Sequence, residues 1–220
     1  MNRLRTTLAG GHGFTLAELL VSMAIVGLVM AGVFGIWSAG STSYLVGASR
    51  VEAQSTARAT LALMARDIRG AGVDPRNLAA ANCTSTSFTA CAIVGPAATF
   101  PPTTATVPTA TSFTIQSDSN GNGAIVSGER ISYALNGAVL ERRDFAVDAS
   151  TQQVAGGVQS LTFTFFDAAG TPITTLSATT VPTIRSIAID ITARPERQAT
   201  LFQAGRAQVR MTERIRIRNR

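Results

Sequence analysis

Residues 14–39 read FTLAELLVSMAIVGLVMAGVFGIWSA, a run in which Glu18 is the only charged side chain. A helix needs roughly 20 apolar residues to cross the hydrocarbon layer of a bilayer, so this run is long enough to span it. Residues 1–13, MNRLRTTLAGGHG, carry Arg3 and Arg5 without an acid and end in small residues. A secretory signal peptide has a shorter apolar region, roughly 7 to 15 residues, with its small-residue cleavage site after it. Here the small residues come first. The next basic residue beyond the run is Arg50. That asymmetry predicts a single-pass membrane chain with a cytoplasmic N-terminus and the remainder outside.

A carboxylate inside an apolar span is costly and marks a functional position by default. Two compensations fit Glu18. Thr15-x-x-Glu18 matches a capping box, with Glu18 reaching back to an orphan backbone N–H at the helix start. Alternatively, Glu18 pairs with a cationic group held in the membrane by another copy or another subunit, where poor solvation strengthens the attraction. Gly27, Gly32, Gly35 and Gly40 punctuate the span without a proline. Gly32 has Ile36 four positions on, so no G-x-x-x-G face forms, and the glycines read as close-packing or flexible points.

The stretch Gly13-Phe14-Thr15-Leu16-Ala17-Glu18-Leu19-Leu20 resembles the class III signal of type IV prepilins and type II secretion pseudopilins. That resemblance implies a leader over residues 1–13, cut after Gly13 by a prepilin peptidase that also methylates the new N-terminal Phe14. It implies that Glu18 neutralises the N-terminal ammonium of a neighbouring subunit during assembly. Many major pilins have a proline near the middle of the span, and its absence here favours a minor subunit over a bulk one.

Beyond Ala39 the helical pattern continues. Ala53, Ala57, Leu61, Met64 and Ile68 form one apolar stripe, with Arg50, Glu52, Arg58, Arg66 and Arg69 off it. Gly70, Gly72 and Pro75 supply the stop. A helix over residues 14–69 would be about 80 Å long, half in the membrane and half under a sheet. Strands follow from alternation at Phe113 and Ile115; Ile131, Tyr133 and Leu135; Leu161, Phe163 and Phe165; Ile187, Ile189 and Ile191; Ile215 and Ile217. Asn136-Gly137 between two such runs is a two-residue hairpin signal. The expected fold class is α+β: a long N-terminal helix packed on a largely antiparallel β-sheet head. Its parts are a leader (1–13), a membrane or filament-core helix (14–39), an amphipathic continuation (40–70) and a β-rich head (71–220).

Two short pieces extend the resemblance. Arg66-Asp67-Ile68-Arg69-Gly70-Ala71-Gly72 and Arg214-Ile215-Arg216-Ile217-Arg218-Asn219-Arg220 are similar to the helix end and last strand of PilW-type minor pilins and the related J-type pseudopilins.

Cys83 and Cys91 are the only cysteines, in a Thr-, Ser- and Ala-rich stretch without a nearby histidine. They read as a short disulfide loop in an oxidising compartment, or as two reduced buried thiols. The surrounding residues 79–110 read as an irregular loop region. Residues 118–129, DSNGNGAIVSGE, fit the D-x-[DN]-x-[DN]-G-x5-E spacing of a calcium loop. Asp118, Asn120, Asn122 and Glu129 would ligate through side chains and Ala124 through its carbonyl. The flanks read as strands, unlike an EF-hand, and a metal-free turn has the same composition.

All 19 basic residues are arginine, and the formal net charge is +6. The excess gathers in residues 194–220, where it alternates with apolar positions as a solvated cationic strand face would. A contact to an acidic partner or nucleic acid is the other reading of that face. The single histidine, His12, would leave with the leader. No nucleophile elbow, phosphate loop or Cys/His cluster is present. The expected function is therefore structural and without turnover, and the resemblance implies a minor type IV pilin that primes or caps pilus assembly. Its partners would be other pilins through the N-terminal helix, the prepilin peptidase and the inner-membrane assembly platform. A minor pseudopilin of a type II secretion system shares the architecture. A signal-anchored periplasmic binding protein is the rival of another class, and predicts an uncleaved N-terminus.

Overall fold

The structure is a computed structural model and describes residues 13–74, 83, 91–96, 106–125, 129–144, 151–195 and 207–219. The leader through His12, the Pro75 stop and most of the 79–110 stretch lie outside the described residues. One helix, α1, runs Leu16–Gly70. The chain divides into two compact units, Met1–Leu45 and Val46–Arg220.

Within the first unit the described residues are helical from Leu16 onward. Leucine, alanine and methionine favour this conformation, and a helix satisfies its own backbone polar groups where no water can. Its large apolar side chains are exposed, among them Met23, Leu28, Phe34, Ile36 and Trp37. The helix is long and apolar enough to cross a membrane.

In the second unit the stripe expected from the sequence is the buried one. Ala53, Ala57, Leu61, Met64 and Ile68 are all buried, joined by Thr60 and Ala65. Arg50, Glu52, Arg58, Arg66 and Arg69 are exposed. The helix stops because Gly72 takes a left-handed backbone (φ 74°), which a Cβ would resist.

Eight strands follow: β1 (Ile93–Val94), β2 (Ser112–Gln116), β3 (Arg130–Asn136), β4 (Val139–Asp144), β5 (Gln152–Ala155), β6 (Val158–Phe166), β7 (Ser186–Ala193) and β8 (Val209–Arg216). They form two antiparallel sheets where one was expected: a five-stranded meander, β1-β2-β3-β4-β5, and a three-stranded sheet, β6-β7-β8. The break has a local cause. Gly157, between β5 and β6, adopts φ 70° and its carbonyl accepts the Arg194 N–H at 2.8 Å, just past β7. That residue turns the chain out of the first sheet and ties it to the second. The β3–β4 hairpin is where the sequence put it, one residue later than expected. Asn136 still pairs with Val139, and Gly137-Ala138 makes the turn, with Gly137 at φ 61°. The positive φ belongs at the first turn position, and glycine takes it at least cost.

The helix exit is stitched to this sheet. The Gly72 N–H donates to the Gln116 carbonyl at 2.9 Å and the Asp118 N–H to the Val73 carbonyl at 2.7 Å. Ile187, Ile189 and Ile191 of β7 are fully buried, facing Leu161, Phe163 and Phe165 of β6. Phe113 of β2 sits edge-on to Phe163 with ring centroids 4.6 Å apart, so the two sheets share one core with the helix stripe. Side chains of this size contribute about 1.5–3 kcal/mol each when fully buried. Cys83 and Cys91 form the expected disulfide. Cys91 is fully buried immediately before β1, and closing so short a loop stabilises by about 2.5 kcal/mol in the chain-entropy account.

Candidate functional site

The N-terminal site is built on the first turn of α1. Gly13 and Phe14 precede the helix in non-helical backbone, both exposed, with open space around the Gly13 α-carbon. Thr15 caps the helix start. Its N–H and its Oγ1–H both donate to Glu18 Oε2 at 3.0 Å. The Glu18 N–H donates back to Thr15 Oγ1 at 3.3 Å. This is the reciprocal capping box that the spacing predicts, and it satisfies two of the orphan donors at a helix start. One oxygen of Glu18 accepts both bonds. Around it, Leu16, Leu19 and Leu20 are exposed, so the carboxylate sits in an apolar collar that packs on nothing within its own unit.

A second polar cluster joins the helix to the five-stranded sheet, and the sequence reading does not single it out. Asp67 Oδ2 accepts the Tyr133 hydroxyl at 2.6 Å and Arg142 Nε at 3.2 Å. Arg142 also reaches Asp144 at 3.2 Å. Tyr133 is fully buried, and burial together with the neighbouring Asp67 carboxylate pushes its hydroxyl pKa up. Burial is the largest single influence on Arg142 and lowers its pKa, but the hydrogen bonds and charges of Asp67 and Tyr133 together outweigh it and the net shift is upward. The signal available beforehand was an acid immediately beside Ile68 of the buried stripe. Its partners are 66 and 75 residues away in sequence, where no local pattern reaches.

The 118–129 loop connects β2 to β3 across the Gln116↔Arg130 pair, so its flanks are strands, as expected. Residues 126–128 lie outside the described residues. Asp118 is fully buried and Glu129 nearly so. Asp118 accepts the N–H groups of Asn122 at 3.1 Å and Gly123 at 3.0 Å. Glu129 Oε1 accepts the Asn120 N–H at 3.0 Å and the Ser119 hydroxyl at 3.2 Å. Asn120 and Asn122 each cap the backbone two residues on, at 2.8 Å. Asp118, Asn120, Asn122 and Glu129, named from the sequence, therefore lie on one loop and are joined through its amides. Their side-chain oxygens accept those amides, which is how a metal-free turn satisfies itself. Among the described residues there is no group of three or more His, Cys, Asp or Glu side chains able to hold a metal ion.

Two family models match the chain. Residues 48–215 match the one described as Prepilin peptidase-dependent protein B, and residues 10–34 match the Prokaryotic N-terminal methylation motif. No curated protein matches it.

Proposed function

The chain belongs to the Prepilin peptidase-dependent protein B family, a pilin-like protein with an N-terminal methylation motif, and from that premise we propose that it is a minor type IV pilin that primes or caps pilus assembly. The observation that carries the reading is the first unit itself. It presents a long helix whose apolar side chains are exposed from Phe14 to Trp37 and beyond. Surface of that kind is stable only in lipid or against other subunits.

In this reading the leader, residues 1–13, stays in the cytoplasm and the second unit lies in the periplasm. The peptidase reaches the exposed Gly13–Phe14 bond, cuts after Gly13 and methylates the freed Phe14 amine. Residues 14–39 then leave the bilayer for the filament core at the assembly platform, and Glu18 pairs with the Phe14 ammonium of an adjacent subunit. The work is assembly.

Intact-mass measurement of the protein from membranes tests the proposal. The expected mature chain begins at N-methylated Phe14. A chain from membranes that retains residues 1–13 would instead fit a signal-anchored periplasmic binding protein that never enters a filament.

A calcium ion in the 118–129 loop is a subordinate proposal, supported by the ligand spacing and by the gathering of Asp118, Asn120, Asn122 and Glu129. Calorimetry is expected to give a calcium-dependent heat that Asp118→Ala abolishes. An absence of heat at millimolar calcium removes it.

A further inference from the structure

The second unit contains a cavity of about 450 Å³ lined by Asp167, the 168–170 turn, Arg185, Ser186, Arg214 and Arg216. It lies at one end of the three-stranded sheet, where Phe166, Ser186 and Arg216 are cross-strand neighbours. Three arginines and a single acidic residue line it.

Two of the three are held in place. Arg214 lies over the Phe166 ring at 3.8 Å and donates from Nε to Ser186 Oγ at 3.1 Å. Arg185 Nη1 donates to the carbonyls of Pro182 at 2.9 Å and Ile184 at 3.0 Å. Arg216 is exposed and has no hydrogen bond or ion pair among the described residues. Three other arginines of the unit are paired: Arg69 reaches Glu213, Arg142 reaches Asp67 and Asp144, and Arg210 reaches Asp190. The one acid of the cavity, Asp167, turns Oδ1 to the Thr171 N–H at 2.8 Å. None of the three cavity arginines has a carboxylate within salt-bridge distance among the described residues.

We propose that this cavity is an anion site that takes a phosphate-monoester oxyanion. Three positive charges against one negative leave an excess of two, which a phosphate of about −1.5 to −2 charge matches and a lone carboxylate does not. Guanidinium forks suit tetrahedral phosphate oxygens, and two of these forks are already oriented before any ligand arrives. The volume falls in the range of small-ligand sites, roughly 300–1,000 Å³, leaving room for the group that bears the phosphate. This ligand site is separate from filament entry and stands whether or not the pilin reading does.

The full chain in detergent micelles, titrated calorimetrically with inorganic phosphate at constant ionic strength, tests the site. Saturable heat is expected, weakened roughly tenfold by Arg216→Gln, the loss of one charge-assisted contact. Ala169→Glu, which adds a carboxylate to an exposed position of the lining, is expected to abolish binding. Arg218→Gln, exposed and outside the lining, is expected to leave it unchanged, with thermal unfolding showing that all three variants fold. Four results would each overturn the proposal. They are no saturable heat at millimolar phosphate, equal weakening by Arg218→Gln, acetate binding as well as phosphate, or a short thymidine oligonucleotide binding where phosphate does not.

Discussion

Asp67→Ala is expected to destabilise the second unit by about 3 kcal/mol, from stranding the hydroxyl of a buried tyrosine and removing one partner from a part-buried ion pair together. For a unit of this size that corresponds to a fall in Tm of roughly 6 to 12 °C. Asp67 Oδ2 is the acceptor for both the Tyr133 hydroxyl and Arg142 Nε. Its loss strands the hydroxyl of a fully buried tyrosine and leaves Arg142 with Asp144 as its remaining ion-pair partner among the described residues. Asp67→Asn keeps an acceptor for Tyr133 and removes the charge, so it is expected to cost less than alanine. A double-mutant cycle with Tyr133→Phe should show coupling, because the two side chains share one hydrogen bond. The alkaline limb offers a further readout. The folded Tyr133 pKa is raised, so its contribution is intact below the unfolded tyrosine value near 10 and declines as pH rises above it. Tyr133→Phe should flatten that limb. Unchanged thermal unfolding of Asp67→Ala would show that the cluster contributes no stability.

The contrast between Asp67 and the buried stripe shows what a sequence exposes and what it conceals. Ala53, Ala57, Leu61, Met64 and Ile68 announce themselves because burial of one helix face imposes a period that the eye can follow. The five strand runs are legible for the same reason at period two. Strand β4, Val139–Asp144, is not. Its core-facing positions are Leu140, Arg142 and Asp144, and only the first is apolar. Two charged residues at these positions read as loop until Asp67 is known to meet Arg142, and Arg142 to meet Asp144. Strands β2 and β3 conceal a further feature: Thr114 and Ser132 are buried on the opposite face and joined by a 2.7 Å hydrogen bond. Polar burial of that kind has no periodic signature. The division into two sheets escapes for a different reason, since it depends on the backbone of Gly157, and composition does not reveal which glycine takes a positive φ. The cavity arginines were half legible. Arg214, Arg216 and Arg218 are exposed between the buried Ile215 and Ile217, as the alternation predicts. Arg185, just before β7, and Asp167, just after β6, come to them only through the fold.

Glu18→Gln is expected to abolish entry into filaments while leaving processing after Gly13 intact, with incorporation falling to background in immunoblots of sheared filaments. The substitution separates two roles that the structure superimposes. Glutamine can occupy the same capping box, because its amide oxygen accepts the Thr15 N–H and hydroxyl that Glu18 Oε2 now accepts. The helix start should therefore survive, and what disappears is the charge. Before cleavage that charge is satisfied by Thr15. Cleavage creates an ammonium at Phe14, and a subunit entering the filament must bring a positive group into a poorly solvated setting, where an unpaired charge resists burial and a paired one selects its register. Glu18→Ala removes cap and charge together and should be no worse than glutamine in assembly. Glu18→Asp keeps the charge on a shorter stem and should assemble in part. The order of the three variants identifies the cause. Should the glutamine variant enter filaments as the native chain does, Glu18 is a helix cap alone, and the exposed apolar helix must find its neighbours without a charge to align them.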